Sequence, residues 1–441
     1  MLATLTKNKM ICENLSRNEE GELCFAGMPL TPLAKEYGTP LYLYDEERIR
    51  ERCRTYIDSA KAVLGEGVQI LYASKAASFK RLYEIMREEG MGIDVVSRGE
   101  IYTALLAKFP LERAYFHSNN KTDADIEYAI EKGVGYFVVD NEEELFAINE
   151  IAERFGKKQK ILLRITPGID PHTYAAVATG KVDSKFGSAI ETGQAKAITA
   201  LALGLPSIKL CGFHCHVGSQ IFDCEVYKAS AKIMLKFLVD MREEFGFTAA
   251  ELDIGGGFGV RYVESQPEID IAENMRTVAS FIKGVAEELS ISLPKISFEP
   301  GRSIVADAGL TLYTVGTVKR IPGYKSYISV DGGMTDNPRF ALYGSPYTVL
   351  PVASEVPENY ELYSIVGRCC ESGDIIQENV PFPKEVKRGD IIACLTTGAY
   401  HYSMASHYNK IPKPPVVMLK GGESYVAVKR ESPEDLARFD V

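Results

Sequence analysis

Between about residues 40 and 300, short β-rich runs alternate with longer amphipathic stretches, and this rhythm constrains the chain more than any other feature. The runs are Ile70–Ala73, Ile93–Val96, Ala114–His117, Tyr136–Val139, Ile161–Ile165, Leu210–His214, Glu251–Ile254 and Lys295–Phe298. Between them, Ser78–Glu89, Asp123–Lys132, Glu142–Phe155 and Tyr227–Phe245 place apolar residues at helical spacing. Eight β/α units over roughly 250 residues predict a (β/α)8 barrel. An open, doubly wound sheet uses the same alternation, and spacing alone does not show closure.

After Pro300 the helical period fades. Leu310–Val318, Ser326–Val330, Tyr363–Val366, Ile391–Leu395 and Ser424–Val428 are separated by Pro, Gly and Asp turns, which predicts an all-β domain. The first residues, with Leu23–Ala26, fit no barrel unit. The expected division is therefore a barrel over 40–300 and a β-rich, sandwich- or barrel-like domain from 1–39 and 301–441.

A net charge of −10 argues against a broad nucleic-acid surface. No apolar run is long enough for a membrane span, and the N-terminus has no signal-peptide block, so a cytoplasmic protein is expected. Nine scattered cysteines with no CxxC pairs point to neither a disulfide framework nor a zinc site.

In a barrel, chemistry gathers at the carboxyl ends of the strands. There the sequence places Lys75 after the first run, His214-Cys215-His216-Val217-Gly218-Ser219 at the sixth, Gly255–Gly259 after the seventh and Glu299-Pro300-Gly301-Arg302 after the eighth. The glycines can bring backbone N–H groups up to a phosphate; the bland alternative is a tight turn. Lys75 becomes a nucleophile in a desolvated pocket and is otherwise a surface lysine. Glu299 can face a pyridinium nitrogen or simply pair with Arg302. Strand alternation sends His214 and His216 to one face and Cys215 to the other, with no third metal ligand at a telling spacing, so no metal is expected.

Together, YASKA, HVGSQ, GGGFG and EPGRS resemble the barrel-type pyridoxal-phosphate decarboxylases, whose fold is shared with alanine racemase. FHSNNK, DSKFG, VDGGMTDNPRFALYG, CCESGD and TTGAYHYSMASHYN are similar to the diaminopimelate decarboxylases in particular, in one register from Tyr72 to Asn409. The resemblance implies Lys75 as the Schiff-base lysine and His216 stacked on the ring. Ser219, Gly255, Gly256, Gly257 and Gly301 would hold the phosphate, and Glu299 would face the ring nitrogen. Tyr400 would lie near cofactor and substrate. Arg302, Arg339 and Tyr343 would grip a distal carboxylate. Cys370, as proton donor, and Glu371, reading the distal ammonium, would come from the partner of a homodimer with shared active sites. The implied reaction converts meso-2,6-diaminopimelate to L-lysine and CO2. Competing readings are a decarboxylase of ornithine, arginine or carboxynorspermidine, a racemase, a non-catalytic pyridoxal-phosphate protein, and a metal-dependent barrel hydrolase. The chain departs from its relatives at Ala77, Cys369 and His401. The segment 168–187 is a candidate lid.

Overall fold

The structure, a computed structural model, describes residues 11–169 and 184–441. It divides into two compact units. One comprises the described parts of Arg52–Gly259 with Ile269–Ser303; the other, Met1–Glu51, Val260–Glu268 and Ile304–Val441.

The first unit is a closed barrel. Its strands are β1 (Val68–Ala73), β2 (Gly92–Val95), β3 (Ala114–Phe116), β4 (Tyr136–Val139), β5 (Gln159–Thr166), β6 (Ile208–His214), β7 (Glu251–Asp253) and β8 (Lys295–Phe298). Each pairs in parallel with the next, and β8 returns to β1 through Ile296–Val68 and Phe298–Ile70. That last pairing settles closure over an open sheet. Most strand residues are buried, as expected of parallel strands with side chains on the inside and helices on the outside.

Local signals explain why several elements begin and end where the sequence places them. Asp123–Lys132 opens with a reciprocal capping box between Thr122 and Asp125 and stops at left-handed Gly133. Asn141 caps Glu142–Arg154 by accepting from Glu144 N at 3.0 Å.

The amino end of the barrel is filled by a polar plug. Glu251 accepts from Tyr115 Oη at 2.6 Å and Ser297 Oγ at 2.7 Å, and pairs with Lys295 Nζ at 2.9 Å. Lys295 also donates to Gln69 at 2.7 Å, and Tyr115 stacks flat on Tyr136 at 4.5 Å. Each polar group has a partner, which is the condition for burying such a network.

The second unit is built on a mixed sheet. Its strands run in the order Ile375–Pro383, Tyr360–Val366, Ser326–Val330, Gly309–Arg320, Leu41–Asp45, Val416–Lys420 and Glu423–Val428. Ile391–Cys394 joins Gly309–Arg320 to Val349–Pro351. Leu23, Phe25, Leu41, Leu43, Leu310, Leu312, Val417 and Leu419 share its core. The sequence reading begins the barrel at residue 40, whereas Leu41–Asp45 pairs with Gly309–Arg320 and Val416–Lys420 in this sheet. Its local pattern is that of any buried strand, and only the distant partners decide which sheet receives it. Among the described residues, no helix is long and apolar enough to cross a membrane. Residues 170–183 of the candidate lid lie outside the described residues.

Candidate active site

The strand ends of the barrel unit carry a concentrated set of ionisable groups. Lys75 stands exposed in the turn Ser74–Ala76 after β1, between buried Ser74 and Ala76. Asp94 lies on β2, His117 just after β3, Arg164 on β5, His214 at the end of β6 with His216 beyond it, and Glu299 just after β8.

Glu299, only 6% exposed, has a histidine on each oxygen. His117 Nε2 is 2.8 Å from Oε1, and His214 Nε2 is 3.1 Å from Oε2. Burial alone would raise this carboxyl, but the two histidines hold it well below the usual range. Asp253, on adjacent β7, moves the opposite way: burial, then the charge of Glu299, pushes it well up. Its Oδ1 accepts from Gly255 N at 2.7 Å. Two nearby acids with opposed shifts indicate one held ionised and one held protonated.

His216 is kept neutral by burial and then by the charge of Lys75, both of which lower it well below the ordinary imidazole value. Its Nδ1 accepts from Gly256 N at 3.3 Å. Cys215 points to the other face, with Sγ 3.3 Å from Ser230 Oγ, as strand alternation predicts.

Asp94 is buried and pushed up to about 6, by burial first, with Glu299 and Glu100 adding to the rise against His117 and Lys75. Its folded value lies above the ordinary 3.8, so its contribution to stability is complete below that value and is lost as pH rises through about 6. Asp94→Asn should therefore gain on the wild type over this window, by up to roughly 3 kcal/mol. Urea midpoints measured on both sides of it check this; a pH-independent difference would refute the assignment.

The glycine run forms a cradle. A Cβ on Gly255, Gly256 or Gly257 would strike the carbonyl oxygen of Cys215, Glu299 or Gly218 respectively, and Gly255 and Gly257 have φ of 76° and 104°. Only glycine lets this backbone pass so close to β6 and β8. Beside it, Arg302 Nη2 donates to Ser219 Oγ at 2.9 Å. A Cβ on Gly301 would lie 2.8 Å from Ala73 Cβ, so the backbone before Arg302 packs on the end of β1. Glycine N–H groups, a serine hydroxyl and a guanidinium form a donor set suited to a phosphate. An ionised buried carboxylate and a neutral imidazole suit a pyridinium ring.

His117, His214 and Glu299 are also close enough to share a cation, an arrangement that spacing along the sequence did not suggest. His214 Nε2 and Glu299 Oε2 form a hydrogen bond, whereas His117 Nε2 and Glu299 Oε1 stand 2.8 Å apart as a close contact without hydrogen-bond angles, and both lack another partner among the described residues.

The β unit carries a second cluster. Arg339 opens the short helix Arg339–Tyr343 and is 7% exposed. Its guanidinium lies 4.9 Å from the Tyr343 ring centre and 5.0 Å from that of Tyr400. Its Nε has no hydrogen-bond partner among the described residues. Tyr400 has φ of 64°, a left-handed backbone that is uncommon outside glycine and often marks a functional position. Cys370 and Glu371 are exposed on a separate loop. Asp374, buried behind that loop, accepts from Cys369 N at 2.8 Å and Met334 N at 2.6 Å, and Cys370 N donates to Asn409 Oδ1 at 2.8 Å.

Residues 46–306 match the family model described as "Pyridoxal-dependent decarboxylase, pyridoxal binding domain". The diaminopimelate decarboxylase of Bacillus subtilis is 42% identical over 426 residues, 96% of each chain. That of Staphylococcus aureus is 44% identical over 416 residues, 94% of this chain and 96% of its own. The chain belongs to the diaminopimelate decarboxylase family. The solved diaminopimelate decarboxylase of M. jannaschii, in complex with L-lysine, superposes with a TM-score of 0.90 at 30% identity, covering 98% of this chain and 99% of that one. The Helicobacter pylori enzyme with L-lysine gives 0.84 at 32% identity, covering 93% and 99%. The family's cofactor is pyridoxal phosphate, and the donor set at the barrel strand ends fits it.

The barrel unit thus gathers Lys75, His216, Ser219, Gly255–Gly257, Glu299, Gly301 and Arg302, while the β unit gathers Arg339, Tyr343 and Tyr400 and sets Cys370 and Glu371 apart. Sequence reasoning did not single out His117, Asp94, Arg164 or Asp253. Each sits at or near the carboxyl end of a barrel strand, and that position was the signal available. His401 is structural: it is buried, its Nδ1 lies 2.9 Å from Ala399 O and its Nε2 2.9 Å from Asn337 Oδ1.

Proposed function

We propose that this carboxy-lyase of the diaminopimelate decarboxylase family removes CO2 from meso-2,6-diaminopimelate to give L-lysine, the last step of lysine biosynthesis. The observation that carries the choice of substrate is Arg339. It is a buried guanidinium faced by two tyrosine rings, with an N–H left unpartnered among the described residues. A simple diamine acid ends in a cation and gives such a group nothing to bind. A second carboxylate does, with two-point geometry available.

When bound, pyridoxal phosphate supplies an electron sink for the bonding pair left behind by departing CO2. The chain's own residues do the rest. Lys75 would provide the amine that tethers the cofactor. Ser219, Arg302, Gly301 and the Gly255–Gly257 backbone take the phosphate. Neutral His216 would offer a flat face to the ring, and Glu299 would accept a hydrogen bond from its protonated nitrogen. Arg302, Arg339 and Tyr343 hold the distal carboxylate, while Tyr400 borders cofactor and substrate. Cys370 delivers a proton to the α-carbon after CO2 has left, and Glu371 reads the distal ammonium. These two act across a homodimer interface in a cytoplasmic enzyme; their exposure on one loop supports that role.

Arg339→Ala should raise KM for the dicarboxylic substrate by the equivalent of about 1.5–3 kcal/mol. Kinetics like the wild type's would remove Arg339 from the substrate grip. Purified protein with cofactor, given meso-diaminopimelate, lysine and ornithine separately, should release CO2 from the first. Release from ornithine alone would instead assign a diamine decarboxylase, and product epimers without CO2 a racemase.

A further inference from the structure

Glu299 sits among like charges. Asp253 lies on the neighbouring strand, and Asp94, buried with its Oδ1 unpartnered among the described residues, bears on the same carboxylate. Three acids crowded into one low-dielectric region favour protonating at least one of them, and a protonated, neutral Glu299 could not stabilise the positive charge of a protonated ring nitrogen. The opposing influence is specific. His117 reaches Oε1 from the end of β3 and His214 reaches Oε2 from the end of β6, although the strands beside β8 are β7 and β1. The two imidazoles meet edge to face, with ring centres 4.9 Å apart and planes at 72°, so each fixes the other's orientation. Both are buried, and burial keeps His214 from charging.

We propose that His117 and His214 are positioning residues that clamp Glu299 one oxygen at a time, holding it as a fixed carboxylate so that the cofactor's ring nitrogen stays protonated. This rests on the reading that Glu299 faces that nitrogen. The clamp leaves each carboxylate oxygen a further lone pair for the ring N–H. It also divides the work between histidines: His214 and His117 serve the carboxylate, and His216 serves the ring face. Lys75 and Arg164 contribute positive charge to the same group of side chains without replacing the His214 hydrogen bond or the close His117 contact.

The test uses holoenzyme reconstituted with cofactor labelled at the ring nitrogen, in His117→Leu, His117→Gln, His214→Leu, His214→Gln and Glu299→Gln variants. Nitrogen NMR reports ring protonation, and absorbance titration reports cofactor affinity. The leucine variants should move the ring signal toward the unprotonated position and lower kcat about tenfold to a hundredfold, the factor matching a charge-assisted hydrogen bond, with little change in KM. The glutamine variants retain an N–H donor and should keep most of the wild-type signal, which also controls for folding. If Glu299→Gln shifts the signal and neither leucine variant does, the clamp is wrong and the cofactor reading stands. If leucine and glutamine variants behave alike, the histidines act by shape, and the proposal fails. If Glu299→Gln leaves the signal unmoved, Glu299 does not face the ring, and both fall.

Discussion

Lys75→Ala will leave a folded chain that has lost turnover by at least about a thousandfold, because the tethering amine goes with the side chain. The neighbouring nitrogens belong to the imidazoles of His117, His214 and His216, which are not primary amines and cannot form a Schiff base. Hydride trapping of the wild-type holoenzyme followed by peptide mapping should put the cofactor label on the peptide containing Lys75. The variant should show no label. A label on another lysine would overturn the assignment of the whole site.

The second large effect is expected at Cys370. Its alanine variant should lose about 10²–10⁴ in kcat, the range for removing a general acid, with substrate KM little changed. The loop should survive the change, since its anchors are the buried Asp374 and the Asn409 amide rather than the thiol. Mixing Lys75→Ala and Cys370→Ala chains adds a geometric check. If each site draws Cys370 from the partner, mixed dimers contain one site with both groups intact, and activity returns in part. A mixture as dead as its components would place both groups in one chain.

Much of the fold is legible in the sequence because its signals are local. Tyr136–Val139, Lys295–Phe298 and Asp123–Lys132 have the limits that their apolar pattern and caps set. Closure is not local; it depends on Ile296 and Phe298 meeting the first strand more than two hundred residues earlier in the chain. The same reason hides the allegiance of Leu41–Asp45. In the candidate site, the glycine run stands out by its place after the seventh strand, and Lys75, an ordinary surface lysine by itself, gains its reading from sharing that rim. His117 and Asp94 are ordinary residues in a linear reading, and they gain meaning only when Glu299 is brought beside them from a distant strand.

The interlocked Glu251, Lys295, Tyr115 and Tyr136 side chains give the barrel a solid floor. With that end occupied by side chains, reactant and product of the cofactor-bound chemistry would share the threshold at the carboxyl ends of the strands. Departure of one then gates arrival of the next, and traffic across that entrance becomes a candidate for the slowest event in the cycle.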